Sequence, residues 1–298
     1  MPAFRAPLPV HHQRRRAVRA TAASAVAVAL AAGCSSSSEP EPSATAPSAE
    51  AGVLPSAHVH AVAIDPGDGA LLLATHEGLI EVGADGALTQ TGPVIDLMGF
   101  TVVGPDHYLA SGHPGLRVDL PQPVGLIEST DGGRTWKPLS RQGESDFHAL
   151  TSSDAGTLGF DGALRRSADG RAWEELAIPA EPHTLSAAPD GSTVLATTAQ
   201  GLLRSADAGA SWSPVAGAPL LQVVTWARDG STAVGIDPGG TLWTTSDAGS
   251  SWQERAAVGA APDAVAADSD ASWIVVVTED GLLESTDGGA TFRPRLEP

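Results

Sequence analysis

One short pattern recurs along this chain, and its spacing decides the architecture. Five segments align: "GLIESTDGGRTW" at 125–136, "ALRRSADGRAW" at 163–173, "GLLRSADAGASW" at 201–212, "TLWTTSDAGSSW" at 241–252 and "GLLESTDGGATF" at 281–292. Their aspartates, Asp131, Asp169, Asp207, Asp247 and Asp287, lie 38, 38, 40 and 40 residues apart. A sixth, eroded copy, "GLIEVGADGAL" at 78–88, puts Asp85-Gly86 46 residues before Asp131; the insertion "PGLRVDLPQP" accounts for the surplus. Upstream of the copies, runs such as "HTLSAAPDGSTVLATTAQGLLRS" read as a strand, a Pro-Asp-Gly turn, a β-branched strand and another turn. Four short strands in about 40 residues, repeated radially, make propeller blades. The expected fold is therefore all-β, a six-bladed β-propeller over residues 57–298.

The turn chemistry explains why these residues recur. An Asp carboxylate accepts backbone N–H bonds across a tight turn, Gly supplies positive φ, and the aromatic packs at the start of the outer strand. The pattern resembles the Asp-box, or BNR, repeat known from sialidases and other propellers. It is complete at 129–136, has Ser for Thr at 205–212 and 245–252, has Phe292 for Trp at 285–292, and lacks one turn residue at 167–173. Five turn carboxylates in equivalent places are scaffold, so none of these aspartates is a candidate catalyst.

The first fifty residues follow another logic. Arg5, Arg14, Arg15, Arg16 and Arg19 precede a small apolar run, Ala20 to Gly33, that is too short to span a bilayer. Residues 1–33 read as a signal peptide, and the "RRR" run leaves a twin-arginine route open. "LAAGC", ending at Cys34, resembles the lipobox of bacterial lipoproteins, which implies lipidation of Cys34 and a membrane-attached, extracytoplasmic location. Residues 34–56, rich in Ser, Pro, Ala and Glu, read as a flexible tether. Cys34 is the single cysteine, so the domain has no disulfide and no cysteine nucleophile. Beyond the leader, 35 acidic residues face 12 basic ones, a net charge near −23. That field repels nucleic acid and anionic lipid and attracts cations. A monomer is the expected state.

Strand direction alternates within a blade, so the connecting loops sort onto two faces. With strands A to D counted outward from the channel, the Asp boxes join C to D and share a face with the A–B turns. The B–C loops and the links between blades open on the other, upper face. His58 and His60 begin strand A of blade one, His76 and His113 occupy B–C loops of blades one and two, and His148 and His183 begin strand A of blades three and four. All six are placed on the upper face. Aligned strand starts put His60, Met98, His148, His183, Gln222 and Asp263 around the channel mouth. Imidazole is the commonest transition-metal ligand, and a site needs three or four convergent donors. His58, His60, His76, His113 and His148 are the candidate set, with Met98, Asp96 and Asp146 as spare donors and copper or zinc as the suited ions. The competing reading is a polar channel that holds water.

Sialidases use three arginines, a Tyr nucleophile with a Glu partner, and an Asp acid/base. Here Tyr108 is the only tyrosine and sits mid-strand, most arginines belong to or precede Asp boxes, and "FRAP" at 4–7 lies inside the leader. Exo-sialidase activity is not expected. Glycoside hydrolysis needs only two carboxyls, for which Asp96, Asp146 and Glu77 are candidates. Through "HVHAVAIDP", "THEGL", "GFTVVGPDHYLASGHP", "LPQPVGLIESTDGGRTW" and "DFHAL" the chain is similar to bacterial Asp-box lipoproteins labelled glycosyl hydrolase. The resemblance implies a propeller with its site opposite the Asp boxes. The leading expectation is a module that binds a metal ion or small polar ligand on a histidine-rich face. The alternatives are a glycoside hydrolase acting on a glycan and an interaction scaffold of the cell envelope.

Overall fold

A computed structural model of the chain describes residues 52–55 and 57–298. The expected signal peptide, Cys34 and most of the expected tether lie outside the described residues. Among the described residues six sheets follow one another in chain order, each with four antiparallel strands in sequential pairing and one of them with a fifth strand added. Their innermost strands are Val59–Ile64, Ile95–Gly104, Ala149–Ser153, Pro182–Ala187, Val223–Trp226 and Pro262–Ala267. Residues from all six line one central cavity of about 510 Å³. Residues 57–298 form a six-bladed propeller.

The second strand of a blade is buried on both faces, which explains its near-continuous apolar sequence. In Leu71–Thr75 every residue is buried. Leu71 and Leu73 pack with Val275 and Val277 of blade six, while Leu72 and Ala74 pack with Leu97, Phe100 and Ile127 of blade two. The period-2 alternation of a strand thus couples each blade to both neighbours. Other clusters join blades two and three, three and four, four and five, and five and six. Burying a Leu of this kind is worth about 1.5–3 kcal/mol, and the first and last blades close the ring by the same packing.

One boundary differs from the sequence expectation. Gly52–Val53, assigned to the tether, is a fifth strand on blade six, parallel to the last strand and paired with Leu296 and Glu297. The Leu54 N–H extends the ladder to Glu297 O at 2.7 Å. Only glycine fits at 52, because a Cβ there would lie 2.4 Å from Gly86 O. A two-residue strand carries no alternation, so its pattern is silent.

Four of the five Asp boxes adopt one hydrogen-bonded form. In blade two, Asp131 Oδ1 accepts the Thr135 N–H at 2.9 Å and Oδ2 accepts the Thr135 hydroxyl at 2.7 Å. Ser211, Ser251 and Thr291 donate the same pair of bonds to Asp207, Asp247 and Asp287. The shortened box of blade three pairs Asp169 with the amides of Arg171 and Ala172 instead. The box glycine meets the preceding blade: a Cβ on Gly289, at φ +80°, would sit 2.0 Å from Leu242 Cδ2. Asp box and A–B turn share one face, as the Gly132 N–H to Asp106 O bond of 2.9 Å shows.

These hydrogen bonds hold the carboxyls of Asp207, Asp247 and Asp287 down at about 2, first through the Ser or Thr hydroxyl and then through the backbone amide. A depressed folded-state pKa contributes stability that is present above the unfolded value and lost as pH falls through the folded one. The melting temperature should therefore drop between pH 4 and pH 2 in the parent protein. In the triple variant D207N/D247N/D287N it should already be lower at pH 7 and change less over that interval. Equal pH slopes in thermal melts would refute the clamp.

Candidate functional site

The upper-face site starts from a defect shared by the innermost strands. Each strand in blades one, two, four and six breaks its register by a bulge: between Val59 and Ala61, Leu97 and Gly99, Pro182 and Thr184, and Pro262 and Ala264. The residues at these bulges are His60, Met98, His183 and Asp263. A bulge re-aims its side chain, and bulges gather beside functional sites. With His148 and Gln222 these four residues line the channel cavity. Gln222 spends its amide N–H on Pro262 O at 2.6 Å.

His76 sits in a turn whose form is set by other residues. The Thr75 hydroxyl donates to Gly78 O at 2.9 Å and accepts the Glu77 N–H at 3.0 Å. Thr198 and Thr278 build the same turn in blades four and six, where Ala199 and Glu279 stand in place of His76. The fold therefore does not require an imidazole there. Glu77 follows it with an exposed side chain.

Asp96 and His113 are direct cross-strand partners in blade two, so their side chains lie side by side on one face. Gly112 makes this pairing possible: its φ is +143°, and a Cβ would fall 1.9 Å from Asp96 O. The segment carrying Asp146 and His148 is pinned from below, where the Phe147 N–H donates to the buried Ser111 hydroxyl at 2.9 Å. The Phe147 ring is fully buried and stacks on Trp173 at 4.9 Å. Its neighbours on either side are left facing the site.

The result is a continuous band of imidazole and carboxylate. His60 Nε2 lies 3.2 Å from His76 Nδ1 and 3.6 Å from Asp96 Oδ1, and His76 Nδ1 lies 2.9 Å from the same oxygen. Asp96 Oδ2 faces His113 Nδ1 at 3.4 Å, and His113 Nε2 faces Asp146 Oδ2 at 3.3 Å. His148 Nε2 closes the band, 2.8 Å from Asp146 Oδ2. His58 packs edge-on against His60, with ring centroids 4.9 Å apart. Burial, together with its neighbours His76 and His58, lowers the His60 pKa to about 4. Its ring is neutral at neutral pH and its nitrogen free to act as a ligand.

The structure thus brings together His58, His60, His76, His113, His148, Asp96 and Asp146. Met98, His183, Gln222 and Asp263 belong to the channel wall. His107 stands apart, paired with Glu128 at 2.9 Å. The sequence offers the two aspartates as spare metal donors and as candidate carboxyls for glycoside hydrolysis; the structure makes them the link between the histidines. The available signal was the antiparallel pairing of "IDLMGF" with "LASGHP", which sets Asp96 opposite His113. Gly112 and Ser111, which hold that pairing, carried no pattern of their own.

Comparison with known proteins agrees with the fold. Residues 127–138 match the BNR/Asp-box repeat model. A xyloglucanase of Hypocrea jecorina (strain QM6a) is 25% identical over 167 residues, which is 55% of this chain and 16% of that enzyme. Among solved structures, the GH74 xyloglucanase of Xanthomonas campestris superposes with a TM-score of 0.53 at 20% identity, over 82% of this chain and 45% of that one. YCF48 bound to D1 peptide superposes at 0.51 and 17% identity, over 81% and 83% of the two chains. Fold and repeat define the class: residues 57–298 form a six-bladed β-propeller that carries a BNR/Asp-box repeat. The chain spans less than half the length of the xyloglucanases it resembles.

Proposed function

We propose that the upper face binds a divalent transition-metal ion through His60 Nε2, His76 Nδ1 and Asp96 Oδ1. One observation carries this reading. Three tetrahedral ligands about 2.0–2.1 Å from zinc stand roughly 3.3–3.4 Å from one another. The three atoms here are 3.2, 2.9 and 3.6 Å apart, close to the edges of that tetrahedron. Two imidazoles and a carboxylate suit zinc or copper(II), and His58 or a small ligand supplies a fourth donor. The chain's acidic field raises the local cation concentration.

The relatives favour a second reading, glycoside hydrolysis, better than they favour the metal, since two of the proteins named above are xyloglucanases. Asp96 and Asp146 are its natural carboxyl pair, one on either side of His113. That ring would have to swing aside to admit a sugar between them. We further propose that the domain works outside the cytoplasm, attached through a lipidated Cys34. Labelled fatty acid should enter the expressed protein and be lost in Cys34→Ser, and an unmodified cysteine would remove this part.

Two measurements separate the readings of the site. Equilibrium dialysis against zinc or copper(II) should load the parent protein, and His60→Ala or His76→Ala should weaken binding at least tenfold. Absence of bound metal would end the cation reading. Aryl glycosides and xyloglucan oligosaccharides should remain uncleaved. Turnover abolished by Asp146→Asn and indifferent to chelators would establish the hydrolase instead.

A further inference from the structure

Two half-buried carboxylates in this band have no lysine or arginine partner among the described residues; every charged contact of Asp96 and Asp146 is to a histidine. The first ion proposed above occupies one end of the band. The other end repeats its composition: His113 Nε2 and His148 Nε2 converge on Asp146 Oδ2 at 3.3 and 2.8 Å. In addition, Asp146 Oδ1 is buried and has no hydrogen-bond partner among the described residues. A buried acceptor left unpaired is costly, more so when charged, and a carboxylate that also lacks a lysine or arginine partner attracts a cation.

We propose that the upper face is a two-ion site, with a second divalent cation held by His113 Nε2, Asp146 and His148 Nε2. This inference rests on the cation reading of the first position. The geometry assigns His113 its ligand nitrogen. Metal-binding histidines almost always donate the other ring N–H to a carboxylate, which fixes tautomer and orientation. Here His113 Nδ1 faces Asp96 Oδ2 at 3.4 Å, leaving Nε2 toward Asp146. Asp96 therefore has two tasks. Oδ1 coordinates the first ion, and Oδ2 orients a ligand of the second. Filling one position settles the carboxylate that serves the other, which offsets part of the repulsion between two neighbouring cations. The second set is the more open one: its three donors do not all lie within 4.8 Å of one another, and the His148 side chain, 61% exposed, has to turn to complete it.

The test uses the full chain carrying Cys34→Ser, titrated with zinc alone and with cobalt(II) alone. Stoichiometry is read by dialysis and site occupancy by the cobalt d–d spectrum. The parent should bind a tight ion and a weaker one beyond whatever the leader histidines hold. The double variant D146N/H148A should lose the weaker ion alone, and H60A/H76A the tight one. Asp96→Asn should weaken both, by about 10–100-fold where it acts only by orienting His113. Melting curves and far-UV spectra would confirm that each variant is folded, and His148→Ala alone, at an exposed side chain, gives a version that cannot fail for want of folding. If D146N/H148A and H148A bind the same number of ions as the parent, the second position is refuted while the first stands. No uptake at all would refute both.

Discussion

A carboxylate that binds the amide and the hydroxyl of the residue four places on is the interaction from which this molecule is built. It closes the outer turn of a blade without help from a core. It also fixes the glycine that follows it against a leucine of the preceding blade, as Gly289 lies against Leu242 and Gly133 against Leu79. Local turn and contact between blades are thus one event. Repeating the turn every 38 to 40 residues repeats the angle between blades. Two-faced burial of the second strands then has only to fill the gaps, and a ring of six results.

Because all of this holds the lower face, the upper face is released from structural duty. Its B–C turns are made by Thr and Gly, and the residue between them varies from His76 to Ala199 to Glu279. Its strand starts are bulged, so the side chains there point away from the blade packing. Chemistry can accumulate at such positions at little cost in stability. Blades one to three have collected five imidazoles and two carboxylates there.

The architecture was open to reading from sequence because it is periodic: one aspartate, one glycine and one aromatic, recurring at fixed distance, leave few folds available. Strand direction then sufficed to put six histidines on one face. Two things escaped that logic. The bulges at His60 and Met98 are single-residue defects, invisible to alternation, yet they decide where those side chains point. The pairing of Asp96 with His113 depends on Gly112 tolerating a backbone approach that any Cβ would block. Register of that kind is a three-dimensional fact, and a lone Ser-Gly-His does not announce it.

The short strand Gly52–Val53 has a mechanical meaning. It lies parallel to the last strand of the chain and hangs from Leu296 and Glu297, so tension arriving from upstream is first borne as shear across that ladder. The pull is spent on the rim of blade six. His58 and His60 begin only a few residues later, so a load on the leading end would reach them only past that ladder. A chain hauled about by its leading end would in this way keep its imidazoles still.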